Sequence, residues 1–329
     1  MNKIFSFIVL LSISFSQWFT VNHQGIERMY YVSFPESNSE PSSLIINMHG
    51  YGGTALQQQT YTQMDYIAHS QNIAVVYPQG LNYSWNVFTY WDGNPYDDVG
   101  FISSMIDDIS ENFNIDLNKV YACGMSNGGY MAYRLACDLS DKIVAFGSVT
   151  GNFMLNSSQD DCQDQEREIP IIHLHGTSDA VVNYYPPSFD QSLTVGQSID
   201  FWNNYNDLEM ESIESLNSNV DVYTYYKDFS STKFVHYKVS GGGHEWFGSN
   251  WGFSTSSVLI DFFNQYQLSD FINNQLLGDL NEDGVINIQD VILIVNLILN
   301  NQFDINGDIN NDGDIDVIDV VQIVNIILN

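Results

Sequence analysis

The chain has 329 residues, 44% of them hydrophobic and 14% aromatic, which is enough apolar surface for one large folded domain plus a small one and too much for a disordered polymer. Nine Lys and Arg stand against 40 Asp and Glu, a net charge of -31 that repels phosphate backbones and anionic lipid surfaces, so nucleic acid is excluded as a partner. The crowding of acids near the C-terminus points instead to local metal binding.

The chain opens MNKIFSFIVLLSISFSQ, with Lys3 ahead of an apolar run from Ile4 to Ile13 and small residues at Ser14 and Ser16. This pattern predicts a secretory signal peptide over 1–16, too short to stay as a membrane-spanning helix. No later stretch reaches about 18 apolar residues, so the expectation is an exported, extracellular protein without a membrane span, retention at the cell surface being compatible with it. From Gln17 to Gln267 short β-branched runs alternate with helix-like segments, the pattern of a mainly parallel sheet flanked by helices. Strands are predicted at Leu44–Met48, Ile73–Tyr77, Val120–Cys123, Val144–Val149, Ile171–Leu174 and Phe234–Val239, and helices over Asp98–Phe113 and Gly129–Leu139. Beyond Gly278 the sequence repeats itself: DLNEDGVINIQDVILIVNLILN (279–300) returns as DINNDGDIDVIDVVQIVNIILN (308–329), two copies of one supersecondary unit. The expected organisation is a leader (1–16), an α/β domain (17–267), a link (268–277) and a duplicated module (278–329).

The run VYACGMSNGGYMAYRLAC places Ser126 in G-x-S-x-G between a strand and a helix. A nucleophilic serine needs a base to take its proton, an acid to orient that base, and donors for the oxyanion. Gly124 and Gly128 flank the serine where side chains would crowd a sharp turn, and the N–H of Asn127 opens the following helix, where it would face developing negative charge. The strand LIINM runs directly into His49-Gly50-Tyr51-Gly52-Gly53, a small-residue loop whose Gly50 and Tyr51 amides are candidate oxyanion donors. Asp179 follows the strand Ile171–Leu174 on the loop past its C-terminal end, where open α/β sheets present functional groups. His244, in SGGGHEW after the last strand, is the candidate base. His49, His173 and His175 read as loop-shaping residues bonded to backbone, and His23, His69 and His236 lie in contexts without chemistry. The aromatic stretch Tyr83 to Tyr96, with Trp85, Tyr90 and Trp91, is either a lining of the acyl or sugar site or plain loop packing. Of the three cysteines, Cys123 sits in an apolar strand as a buried thiol, and Cys137 with Cys162 form the candidate disulfide.

Taken together, INMHGYGG, VVYPQG, DDVGFISSMIDDI, VYACGMSNGGYMAYRLAC, HLHGTSDAVVNY and GGGHEW resemble the secreted polyhydroxybutyrate depolymerase and feruloyl esterase group of α/β hydrolases, carbohydrate esterase family one and its relatives. The resemblance covers about residues 20 to 265 and implies an α/β-hydrolase fold. By it Ser126, Asp179 and His244 take the triad positions, the loop at Gly50 and Tyr51 the oxyanion position, and catalysis needs no cofactor. It implies a serine carboxylesterase acting on feruloyl or acetyl groups of a polysaccharide, with a polyhydroxyalkanoate depolymerase as the alternative. A non-catalytic, Ca²⁺-dependent binding or scaffold protein is the reading from a different class, disfavoured by the intact Ser, Asp and His set. Relatives often carry Trp-Pro-Gly after the base, where this chain has Trp246-Phe247-Gly248.

Each repeat begins D-x-N-x-D-G and carries Asp at loop position 12, with oxygen donors at the spacing a Ca²⁺ loop requires. The first loop offers Asp279, Asn281, Asp283, the Val285 carbonyl, Asn287 and Asp290. The second offers Asp308, Asn310, Asp312, the Asp314 carbonyl, Asp316 and Asp319. No helix enters the second loop, and position 12 is Asp rather than the usual Glu. This loop-helix duplication resembles type I dockerin modules, which implies a small all-α domain holding two structural Ca²⁺ ions and a cohesin-type protein partner. The alternative is a stand-alone Ca²⁺-stabilised tail used for surface retention.

Overall fold

The computed structural model describes residues 15–36, 40–88, 93–154, 162, 167–188, 192–228, 230–271, 278–281, 285–300, 302–310 and 313–328. The chain divides into two compact units between Leu268 and Ser269. Most of the predicted leader lies outside the described residues; its last two, Phe15 and Ser16, belong to the first strand and pair with Phe34 and Ser33.

The first unit is built on one ten-stranded sheet. Its strands are β1 (Phe15–His23), β2 (Ile26–Phe34), β3 (Ser42–Met48), β4 (Ile73–Pro78), β5 (Ile115–Met125), β6 (Ala145–Val149), β7 (Ile171–Gly176), β8 (Met210–Asn217), β9 (Val220–Tyr226) and β10 (Lys233–Val239), in the spatial order β1-β2-β4-β3-β5-β6-β7-β10-β9-β8. The six central strands β4-β3-β5-β6-β7-β10 run parallel. Antiparallel pairs close both edges, β1 and β2 on one side and β9 and β8 on the other. The parallel strands are covered on both faces, which is why they read as continuous apolar runs; every residue of β4, β6 and β7 is buried. These six are the six strands expected from the sequence.

Helices α1 (Ala55–Thr62), α2 (Met64–Ala68), α3 (Asp98–Asn112), α4 (Asn127–Asp138) and α5 (Val195–Tyr205) lie in the connections between strands, and α6 (Thr255–Phe263) follows β10. Phe101, Ile102, Met105, Ile106 and Ile109 recur at three- and four-residue spacing on α3 and form its buried stripe, as an amphipathic helix requires. Asp97 caps the helix through Gly100 N at 2.9 Å, satisfying one of the donors orphaned at its start. The buried pair Arg28–Asp98 (2.6 Å) fastens β2 to α3, with the guanidinium 3.9 Å from the Phe101 ring centroid. Cys137, at the end of α4, is bonded to Cys162, and Cys123 is a buried free thiol.

The second unit carries α7 (Ile288–Asn300) and α8 (Val317–Leu328). Its two copies are built alike. Ile294 and Ile323, equivalent positions of the repeat, are the buried hydrophobic side chains among its described residues. Gly278 lies against Ile323 of the second copy, and its equivalent Gly307 against Ile294 of the first. No described helix is long and apolar enough to cross a membrane.

Candidate active site

The nucleophile candidate stands where β5 breaks into α4. Ser126 has φ 55° and ψ -121°, a sparsely populated conformation for a residue with a side chain. It persists because its surroundings dictate it: Ser126 N donates to Val149 O on β6 at 2.8 Å, while Ser126 O accepts from Gly129 N and Tyr130 N at 2.8 and 2.9 Å. A Cβ on Gly124 would come within 2.4 Å of Gly128 O, and one on Gly128 within 2.3 Å of Met48 O, so the two flanking glycines are required by close approach of backbone. The N–H of Asn127 has no acceptor among the described residues, and as the first amide of α4 it is available to an anion.

The loop after β3 runs alongside. A Cβ on Gly50 would lie 3.3 Å from Ser126 Cβ, so the backbone of that loop flanks the serine, and Tyr51 beside it is exposed. His49 shapes the loop. Gly80 N donates to its Nε2 at 3.0 Å, so Nδ1 carries the proton and donates to Gly50 O at 2.8 Å. Burial holds this imidazole neutral, lowering its pKa to about 4 against the opposing bond to Gly50. The unfolded chain takes up the proton near pH 6.5, the folded chain only near 4, so between these values the unfolded state binds more protons. Stability of the first unit is therefore expected to fall by about 1.4 kcal/mol per pH unit for this one group as pH drops from about 6.5 to 4. Urea denaturation across that range checks it, with His49→Gln flattening the slope.

Trp85 is fully buried, which decides its two readings in favour of packing. Its indole donates to His49 O at 2.8 Å, its N–H to Asn127 Oδ1 at 2.7 Å, and its carbonyl accepts from Asn127 Nδ2 at 3.2 Å. It thus braces the serine turn against the loop after β3. Tyr90 and Trp91 lie outside the described residues, and Tyr83 is exposed.

Asp179 and His244 come from the loops after β7 and β10, the C-terminal edge of the sheet on which Ser126 stands. His244 Nδ1 lies 2.8 Å from Asp179 Oδ2, and Asp179 Oδ1 accepts from Val181 N and Val182 N, both at 2.8 Å. Burial alone would raise the Asp179 pKa, but the hydrogen bonds from His175, His244 and Val182 and the charge of His244 together hold it well below the usual carboxylate range. The carboxylate is therefore ionised and fixes His244 with Nε2 as the free, basic nitrogen. Among the described residues Ser126 Oγ is not hydrogen-bonded to His244.

The expectation that His173 and His175 bond backbone holds for His175 and fails for His173. His175 Nε2 donates to Val182 O at 2.9 Å, but the His173 ring bonds side chains only, His175 at 3.0 Å and Tyr133 at 2.5 Å. The sequence offered one clue to this pair, since H-x-H on a strand puts both rings on one face.

In the second unit the two position-12 acids make the same bonds. Asp290 accepts from Leu280 N, Asn281 N and Asn287 N at 2.9, 3.1 and 2.9 Å. Asp319 accepts from Ile309 N, Asn310 N and Asp316 N at 2.9, 3.3 and 2.8 Å. Asp279 and Asp308 are likewise buried, and Val285 is exposed. Asp314 and Asp316 stand on the second loop; Asp283 and Asp312 lie outside the described residues. Among the described residues no three acid, histidine or cysteine side chains converge as a metal site. Yet segment 269–329 holds eleven Asp and Glu and no Lys, Arg or His, so its four buried carboxylates have no cationic side chain of their own segment to meet. Buried charge of one sign calls for a counter-ion, and an all-oxygen donor set suits Ca²⁺.

A family model described as phospholipase/carboxylesterase matches residues 31–222. The chain is 29% identical over 226 residues to a bifunctional acetylxylan esterase/xylanase from Neocallimastix patriciarum, covering 67% of this chain and 31% of that protein. It is 27% identical over 180 residues to feruloyl esterase D of Neurospora crassa, covering 51% of this chain and 58% of that protein. The chain thus spans less than two thirds of the length of either relative. An acetyl xylan esterase from Aspergillus awamori superposes with a TM-score of 0.56 over 76% of this chain and 99% of that one, at 14% identity, which establishes the shared fold.

Proposed function

The chain belongs to the phospholipase/carboxylesterase family, and from that premise we propose that it is a serine esterase that removes acyl groups, feruloyl or acetyl, from polysaccharide. The observation that carries the reading is the 2.8 Å pair between His244 Nδ1 and the ionised Asp179, set on the same sheet edge as a serine held at positive φ. His244 Nε2 takes the Ser126 proton as Oγ attacks the ester carbonyl. The Asn127 and loop-50 amides meet the oxyanion, each such donor being commonly worth about 3 kcal/mol. The imidazolium returns its proton to the leaving alcohol, and water repeats the sequence on the acyl-enzyme. The named relatives support the acyl-polysaccharide assignment, and the leader supports an extracellular site of action.

The second unit we read as a dockerin-like module that takes two Ca²⁺ ions, one per loop, with a cohesin-type protein as its partner. Asp279, Asn281, Asp283, the Val285 carbonyl, Asn287 and Asp290 would hold one ion. Asp308, Asn310, Asp312, the Asp314 carbonyl, Asp316 and Asp319 would hold the other. Bound Ca²⁺ supplies the positive charge that lets the carboxylates share a buried site. The support is the identical bonding of the two copies around Asp290 and Asp319 and the absence of any basic side chain in the segment.

A substrate panel tests the enzymatic reading: p-nitrophenyl acetate, methyl ferulate, acetylated xylan and hydroxybutyrate oligomers, with Ca²⁺ present. Turnover highest on acetylated xylan or methyl ferulate is the expected result. Preference for hydroxybutyrate oligomers would move the assignment to polyhydroxyalkanoate, and inertness of the folded protein towards all four would overturn the esterase reading.

A further inference from the structure

Burying an imidazole costs its hydration unless both ring nitrogens find partners. Three histidines, 173, 175 and 236, are buried here on two neighbouring strands, and all six of their ring nitrogens are partnered. Their protonation can be derived. The carbonyl of Val182 can only accept, so His175 Nε2 bears hydrogen and, in the neutral ring, Nδ1 accepts. The nitrogen that donates to it at 3.0 Å is then His173 Nε2, leaving His173 Nδ1 as acceptor for the Tyr133 hydroxyl at 2.5 Å. On the flank, His236 Nδ1 donates to His173 O at 3.1 Å and its Nε2 accepts from the Tyr184 hydroxyl at 2.9 Å.

On the reading of Ser126, Asp179 and His244 given above, we propose that Tyr133, His173 and His175 form a one-way hydrogen-bond relay that positions the catalytic carboxylate of Asp179. Every donor in the chain points toward Asp179. The terminal His175 Nε2–H donates to Val182 O at 2.9 Å and lies 3.4 Å from Asp179 Oδ2, the same oxygen that receives His244 Nδ1. Val182 closes a small ring, because its N–H in turn donates to Asp179 Oδ1. The relay starts on α4, whose first residue follows Ser126, and ends on the acid loop. It therefore ties the helix behind the nucleophile to the carboxylate that orients the base, through groups that water does not reach. In such a medium successive hydrogen bonds polarise one another and a fully satisfied network is stiff. No proton is transferred along it; these are positioning residues.

The test uses the mature full-length protein with Ca²⁺. Diethyl p-nitrophenyl phosphate counts competent serines by the p-nitrophenol burst, and turnover of p-nitrophenyl acetate is expressed per titrated site. His175→Leu is expected to lower kcat per titrated site about 10- to 100-fold with KM nearly unchanged. His175→Gln, which keeps an N–H near the Nε2 position, should recover most of that loss. Tyr133→Phe removes one hydroxyl and keeps the packing. It is expected to shift the low-field Nδ1 proton resonance of His244, which lies three residues beyond the ring it touches, by way of His175 and Asp179. Unchanged kcat per titrated site in all three variants, with only the titratable fraction reduced, or an unmoved His244 resonance in Tyr133→Phe, overturns the relay and leaves the triad standing. Absence of a burst in the unaltered protein, or full activity in Ser126→Ala, overturns the triad and the relay with it.

Discussion

Ser126→Ala is expected to lower kcat on ester substrates by at least about 10⁴-fold, with no change in melting temperature beyond a degree or two. Alanine has the same backbone demands as serine at φ 55°, and the bonds that impose this conformation run through main-chain atoms of residues 126, 129, 130 and 149. The turn therefore survives the substitution, and the Asp179–His244 pair, built from other loops, survives with it. What disappears is the oxygen proposed to form the acyl-enzyme. The residual rate would report the oxyanion amides acting on direct attack by water. Steady-state hydrolysis of p-nitrophenyl acetate alongside a thermal melt decides the matter. A variant that keeps a tenth of the activity would remove Ser126 from the mechanism.

Chelation is expected to unfold the second unit and leave the first at work. Excess EGTA should abolish the far-ultraviolet helical contribution of α7 and α8 and expose their segment to protease. Hydrolysis per molecule should not change, because Ser126, Asp179 and His244 all belong to the first unit. The cause is electrostatic. Asp279, Asp290, Asp308 and Asp319 are buried in a segment without a basic side chain, and only Ile294 and Ile323 are buried as hydrophobic side chains among its described residues. So small a core cannot hold like charges together, whereas a bound ion at 100 times its dissociation constant contributes about 2.7 kcal/mol. Ca²⁺ titration of the chelated protein followed by circular dichroism measures the effect. Helical signal indifferent to EGTA would refute the Ca²⁺ assignment.

The parallel part of the sheet was legible because burial on both faces forces unbroken apolar runs such as LIINM and IAVVY. The edge strands were not. MESIESLN of β8 is largely exposed and carries too little apolar patterning to separate it from a loop. Helices α1 and α2 are short and hold their places through tertiary contact more than through periodicity, whereas α5 carries a Thr194–Gln197 capping box and buried Val195, Ser198, Ile199 and Trp202 at helical spacing. At the site, chain order and strand ends single out Ser126, Asp179 and His244 as candidates, and the structure places them on one sheet edge with His244 bonded to Asp179. Sequence leaves Trp85 between two readings because an aromatic in a loop beside a candidate site reads alike whether it faces substrate or packs inward; its indole bond to His49 O could be known only from three dimensions. The His173–His175 pair was visible as H-x-H, but its outer partner Tyr133 lies forty residues earlier on another element, beyond any local pattern.

The spacing of the three triad positions along the chain also sets a schedule for biosynthesis. The serine turn is complete once β6 pairs with β5, but the base hangs from β10, the last parallel strand to be made, and β10 has β7 and β9 to dock against before His244 can reach Asp179. A nascent or truncated chain ending before Lys233 would carry a well-formed nucleophile and no means of activating it. The proposed activity would thus arrive late in synthesis, yet still ahead of the acidic repeat, which emerges only after the first unit has all its parts.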